Sequence, residues 1–337
     1  MRPLALLLTL PLASTHAATI PTRFEADRVF ATPTTANGES LRLYTDTGGG
    51  GNLLCRQAAL RLRLELEPLP PDEELEAELG RNLSRAKLPP FKPGAGVPAN
   101  ADGDGSMLVH ECKDRNGASA ASLGDGLLSQ HWFAGRVWTW DYAARRLTLE
   151  DAGWKAPSAA HRAEIGFKPA TAGSATFHMP RLTVRVDGRN LDLLLDTGAT
   201  GYPTRVALAA QPAPAPVKGA RATSFVTTST LEAWRAAHPD WTVVGNADDL
   251  LAPRFRARAI RVPEVEIAGW TVGPVWFTER PDDAFRKMMS SMTDRPVEGA
   301  LGGNALAPLR MTIDYPGAAA YFTCSRGCKP VTPPPAP

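Results

Sequence analysis

The stretch Leu191-Asp192-Leu193-Leu194-Leu195-Asp196-Thr197-Gly198-Ala199-Thr200 decides how this chain is read. Its apolar run has the character of a strand buried on both faces. The run ends on a carboxylate, at the point where the chain must turn. An unpaired carboxylate in such a place is costly and titrates abnormally. One reading is purely structural: Asp196 and Gly198 shape an Asx-type turn at a strand end. The other is that the carboxylate is held there for its chemistry.

The rest of the chain bears on that choice. The triplet recurs as Asp46-Thr47-Gly48, and Gly38, Leu41 and Asp46 match Gly188, Leu191 and Asp196 at a constant spacing of 150 residues. One Asp-Thr-Gly arises by chance in about 1 chain in 10 of this length at ordinary composition, and two with matching flanks are far rarer. A second pair of segments also corresponds. Asp125-Gly126-Leu127-Leu128 leads to Thr139-Trp140-Asp141-Tyr142, and Glu298-Gly299-Ala300-Leu301 leads to Thr312-Ile313-Asp314-Tyr315, with 16 residues from Gly to Tyr in each. The chain is two divergent copies of one unit.

Local signals fill in the copies. Val29 to Tyr44, with Asn37-Gly38 between two strand-like runs, reads as a hairpin. Pro70-Pro71-Asp72 opens a helix-like stretch to about Ala86, and Ser229 with Glu232 forms a capping-box pattern before a helix ending near His238. Val262 to Phe277 alternates as strands around Ala268-Gly269. The division expected is a signal peptide at 1–17, a first lobe at 24–152, a linker at 153–171, a second lobe at 172–328 and a disordered tail at 329–337. Trp132, Trp138 and Trp140 read most simply as core or interface packing, the alternative being that they line a peptide cleft. Asp141 and Asp314 read as structural or surface residues. Asn100 to Glu111 approaches a calcium loop, but it opens on Asn and lacks an entering helix, so a polar turn is the simpler reading.

Composition excludes several classes. The net charge is +2, with basic residues scattered and no stripe interleaved with aromatics, so nucleic acid is not an expected partner. Met1 to Ala17 has one Arg, an apolar core at Leu4 to Ala13 and small residues before Ala18, the pattern of a secretory signal. No later run is long enough to span a bilayer. A periplasmic or secreted location suits disulfides, and Cys55 with Cys112 and Cys324 with Cys328 is the preferred pairing among three. His16, His110, His131, His161, His178 and His238 are dispersed, so neither a metal nor another cofactor is expected. No Gly-x-Ser-x-Gly elbow or phosphate-binding loop is present.

A repeated unit with one strand-end carboxylate per copy implies a pseudo-twofold in which Asp46 and Asp196 meet. Two carboxyls that close share a proton. Thr47 and Thr197 could lock the two turns together, and Gly48 and Gly198 let backbone approach closely. The apolar run into Asp-Thr-Gly-Ala-Thr, followed by Gly-Ala-Leu-Gly and Thr-Ile-Asp-Tyr, resembles the retropepsin-like aspartic proteases. Two copies in one chain resemble the bilobal, pepsin-like arrangement. The likeness covers about Val29 to Leu149 and Met179 to Phe322.

That resemblance implies an all-β, bilobal fold of two β-barrel-like lobes with short helices. It implies an aspartic endopeptidase acting through an Asp46–Asp196 dyad, supported by Thr47, Gly48, Thr197, Gly198 and Ala199. Gly126 and Gly299 would mark the strands crossing behind the active-site loops. The expected substrate is a peptide or unfolded protein, and the expected state a monomer. A non-catalytic bilobal module binding peptide or protein is the alternative. The first copy departs from the family in Tyr44-Thr45 before its Asp, in Gly49-Gly50-Gly51 after it, and in Ser129 where the second copy has Gly302. A cleft lid is sought at Gly94 to Val109 or Lys218 to Thr228.

Overall fold

A computed structural model describes residues 17–100, 104–112, 122–171 and 176–331. The expected signal segment, apart from Ala17, and residues 332–337 of the expected tail lie outside them. In the first half the strands that matter for the site are β1 (Ala18–Ile20), β2 (Leu43–Thr45), β3 (Leu53–Cys55), β4 (Ser106–His110), β5 (Gly126–Leu128), β6 (Val137–Asp141) and β7 (Arg146–Leu149). In the second half they are β8 (His161–Gly166), β9 (Arg189–Leu195), β10 (Ser224–Thr227), β11 (Val275–Arg280), β12 (Gly299–Leu301), β13 (Leu309–Asp314) and β14 (Ala319–Cys324).

The pairings repeat from one half to the other. β2 runs parallel to β5 and β9 parallel to β12. β3 is antiparallel to β5 and parallel to β4, as β10 is to β12 and β11. β1 pairs with β7, and β8 with β14. Thus the stretch expected as a linker both joins the halves and contributes β8. The halves meet along β6 and β13, antiparallel, with Thr139 facing Thr312, its own counterpart in the repeat. Their hydroxyls are 2.8 Å apart and buried.

The fold is bilobal and mixed β/α, not all-β, and its lobes are not closed barrels. Two physical causes account for the difference from expectation. Parallel neighbours cannot be joined by a hairpin and need crossovers. Helices such as Arg56–Arg61 and Thr228–Ala237 lie on those crossovers, between β3 and β4 and between β10 and β11. Also, β6 pairs with β13 instead of curling back on its own lobe, so the sheet runs open through both halves.

The local expectations fare variously. Arg28–Ala31 pairs with β2 as the predicted hairpin, Phe30 facing Tyr44, with Gly38 at φ +93° in the connection. The helix after Pro71 covers only Glu73–Leu79, capped by Asp72 and ended by Gly80 at φ +89°. The strand Ser84–Lys87 follows it. Thr227, not Ser229, caps the helix Thr228–Ala237, and Ser229 instead donates to Asp282. Ala268 and Gly269, both at positive φ, turn the chain between Val265–Ile267 and Trp270–Val272. Lys329–Pro330, expected in the tail, pairs with that last strand. Trp132, Trp138 and Trp140 are buried in the core, as read, and both cysteine pairs form as preferred.

Candidate functional site

Each half delivers its carboxylate by the same construction. β2 is buried along its length, and the amide after it, Asp46 N, donates to Leu128 O at 2.9 Å. In the second half Asp196 N donates to Leu301 O at 3.0 Å. Parallel pairing ends there, and both chains turn. Gly48 N donates to Asp46 Oδ1 and Gly198 N to Asp196 Oδ1, each at 2.9 Å. The Asx-type turn is therefore present in both copies, and it is what aims the carboxyls.

The threonines lock the turns together. Thr197 N donates to Thr47 Oγ1 at 3.0 Å, Thr47 N donates to Thr197 Oγ1 at 3.3 Å, and Thr47 Oγ1 donates to Leu195 O at 2.6 Å. Both side chains are fully buried. The glycines permit the approach. A Cβ on Gly198 would lie 2.0 Å from Asp46 Cγ, and one on Gly48 would lie 2.8 Å from Asp196 Cγ. No side chain larger than hydrogen fits between the turn of one half and the carboxyl of the other.

The Asp46 carboxyl packs against Gly198 and the Asp196 carboxyl against Gly48, so each lies against the opposite loop and the two interact electrostatically. Each residue keeps partial solvent access. Burial raises both carboxyls above the ordinary aspartate range, and the charge of Asp46 adds to the rise at Asp196. Amides of Gly48, Gly49, Gly198 and Ala199 pull in the opposite direction. Carboxyls coupled in this way titrate jointly, not one by one.

The halves differ in what surrounds this symmetric centre. Ser129 N donates to Asn52 Oδ1 at 2.7 Å, and the equivalent Gly302 N donates to Ser224 Oγ at 3.0 Å. Ser129 fits because its hydroxyl turns away to accept from His131 N, capping the helix Gln130–Phe133. At Gly302 a Cβ would meet Thr223 O at 1.8 Å. Asn52 and Ser224 were not legible as a pair, since they follow their aspartates by 6 and 28 residues. Tyr44, which stands where the second copy has Leu194, sends its hydroxyl across to the other half. It donates to Gly198 O at 2.9 Å and lies 2.7 Å from Thr200 Oγ1.

Other expected features are placed elsewhere. Asp141 and Asp314 accept from Ala144 N and Gly317 N in equivalent turns, away from the centre. Gly126 and Gly299 lie on β5 and β12, behind the aspartate loops. Of the first lid candidate, Ala95 O accepts from Thr34 N, Pro98 O accepts from Trp132 Nε1, and 106–110 is β4. Of the second, Arg221–Ala222 pairs with Thr200–Gly201 and 224–227 is β10. Among the described residues, neither is a free hairpin. In the Asn100 to Glu111 stretch, residues 101–103 lie outside the described set, Asp104 accepts from Ser106 N at 2.9 Å, and Glu111 pairs with Arg56. No group of three or more His, Cys, Asp or Glu able to hold a metal occurs among the described residues.

No known family profile matches the chain, and no curated protein matches it. Among solved structures it is similar to basic 7S globulin from soybean, at 10% identity, covering 91% of this chain and 95% of that one with a TM-score of 0.42. The architecture is two repeated lobes joined by a shared strand pair. Among the described residues no helix is long and apolar enough to cross a membrane.

Proposed function

We propose that this chain is an aspartic-type endopeptidase acting on peptides or unfolded proteins, with Asp46 and Asp196 as its catalytic pair. The observation that carries this reading is the seating of each carboxyl against the other half's loop glycine, held by the reciprocal exchange between Thr47 and Thr197. With one proton shared, the ionised carboxyl removes a proton from a water lying against both. The protonated carboxyl hydrogen-bonds the scissile carbonyl oxygen as the water oxygen adds to its carbon. The tetrahedral adduct then collapses, the C–N bond breaks, and the departing nitrogen takes a proton from the pair. Atoms balance as one water per peptide bond, and no covalent enzyme intermediate forms.

The test is cleavage of a denatured protein across a pH series, with and without a statine-type inhibitor. Asp46→Asn and Asp196→Asn should each lower the rate by at least about 10³-fold. Absence of inhibitor-sensitive cleavage at every pH would overturn the reading, and full activity in Asp46→Asn would remove Asp46 from the pair.

A second reading, a bilobal module that holds a peptide without cutting it, is favoured by the first half. A cavity of about 320 Å³ lies there, lined by Asn52, Phe91, Val97, Met107, Leu128 and Trp132. Peptide binding without cleavage at any pH would select it. The two disulfides support a periplasmic or secreted location. Fractionation of cells expressing the full chain tests that placement.

A further inference from the structure

Tyr44 is fully buried, yet its phenol does not finish in its own half. Its hydroxyl and that of Thr200 converge on one acceptor, Gly198 O, at 2.9 and 3.0 Å. Among the described residues of the first half, no side-chain hydroxyl bonds to Gly48 O. The counterpart of Tyr44 is Leu194 and that of Thr200 is Gly50, so no hydroxyl from either position can reach Gly48 O. The phenol is fixed from behind by Arg28, whose guanidinium lies 5.4 Å from its ring centroid. Arg28 is itself buried and anchored in both halves, donating to Ser122 O at 3.1 Å and to Val217 O at 3.5 Å.

The geometry points to Tyr44 as a positioning residue that sets the Asp196 turn from the opposite lobe and makes the two halves of the dyad inequivalent. Gly198 C=O belongs to the same peptide group as Ala199 N–H, which donates to the Asp196 carbonyl at 3.3 Å and also lowers the pKa of the Asp196 carboxyl. A hydroxyl bonded to the carbonyl polarises the peptide and makes its N–H a stronger donor, since linked hydrogen bonds reinforce one another. Tyr44 thereby favours the singly ionised pair without touching either carboxyl. Among the described residues, the other groups coupled electrostatically to Tyr44 or to the carboxyls include Arg28, Tyr142 and Tyr315, with Asp27 acting on Tyr142.

This rests on the shared-proton reading, so the experiment must separate the two. The aspartate carboxyls of the full chain, labelled with carbon-13, are titrated by NMR in the parent and in Tyr44→Phe, which keeps the ring against Arg28. The lower apparent pKa of the pair should rise by about 0.5 pH unit in the variant. The acid limb of the cleavage profile should move with it. Coupled titration with the same midpoints in both proteins would overturn the role of Tyr44 alone. Independent titration of the two carboxyls at ordinary values in the parent would overturn the shared-proton reading and this one with it. Should Tyr44→Phe not fold, Thr200→Val removes the second hydroxyl from the same carbonyl and should show the same rise. No rise there would count against the proposal equally.

Discussion

Thr139 and Thr312 hydrogen-bond to each other at 2.8 Å across a strand pair that spans the two lobes. Each is the other's counterpart in the repeat, so the bond marks the axis relating the halves. Thr139→Val leaves the Thr312 hydroxyl buried without its partner and should cost about 1–2 kcal/mol. Thr139→Val with Thr312→Val should cost less than the sum of the singles, because the second change removes the orphan that the first created. Urea unfolding of the three variants measures this.

The loop glycines should separate sharply by position. Gly198→Ala places a methyl 2.0 Å from Asp46 Cγ, whereas the nearest atom to a methyl on Gly38 is Lys92 Nζ at 3.8 Å, and Gly50 has open space around it. Gly198→Ala should therefore abolish cleavage and destabilise by about 1–3 kcal/mol. Gly50→Ala should leave cleavage intact and change stability by no more than about 1 kcal/mol, by restricting the unfolded chain. Activity in Gly198→Ala would show that the two turns do not approach as described.

Asp196→Asn should stabilise the protein at neutral pH while removing activity. Burial, and then the charge of Asp46, raise the Asp196 carboxyl above its unfolded value. Between those two values the folded protein holds a proton that the unfolded chain has released. Stability is thus complete below the ordinary aspartate pKa and falls as pH climbs through the raised one. The asparagine variant lacks this penalty, and a gain of about 1 kcal/mol is expected at neutral pH, vanishing in acid. Thermal unfolding at several pH values checks the sign, and a pH-independent difference would be inconsistent with it.

The two disulfides should contribute unequally. Cys55–Cys112 ties the end of β3 near the end of β4 across a separation of 57 residues, whereas Cys324–Cys328 spans 4. Chain entropy assigns about 4 kcal/mol to the first and about 2 kcal/mol to the second. Paired Cys→Ser variants, compared by urea unfolding, should rank in that order.

Much of the centre was legible because it follows from local sequence duplicated at fixed spacing. Asp46 and Asp196, with their threonines and glycines, lie within runs that align without a gap. What was hidden depends on long-range pairing. Asn52 and Ser224 play one role from unequal distances along the chain. Tyr44 read as a departure from the expected apolar residue, yet its hydroxyl finds partners at Gly198 and Thr200, more than 150 residues away. The helix after Asp72 is shorter than its sequence predicts because at Gly80 the backbone takes a positive φ that ends it.

The shared strand pair has a consequence for the history and handling of the chain. β6 and β13 each cover an edge that the other lobe would otherwise leave bare. A half-length fragment would carry that edge unpaired, and the surface fitting it best would be the same edge on a second identical fragment. Thr139 would then face Thr139. The register needs no change to pass from two chains to one, so a gene duplication is enough to convert a symmetric pair of chains into this asymmetric single chain while keeping its central seam.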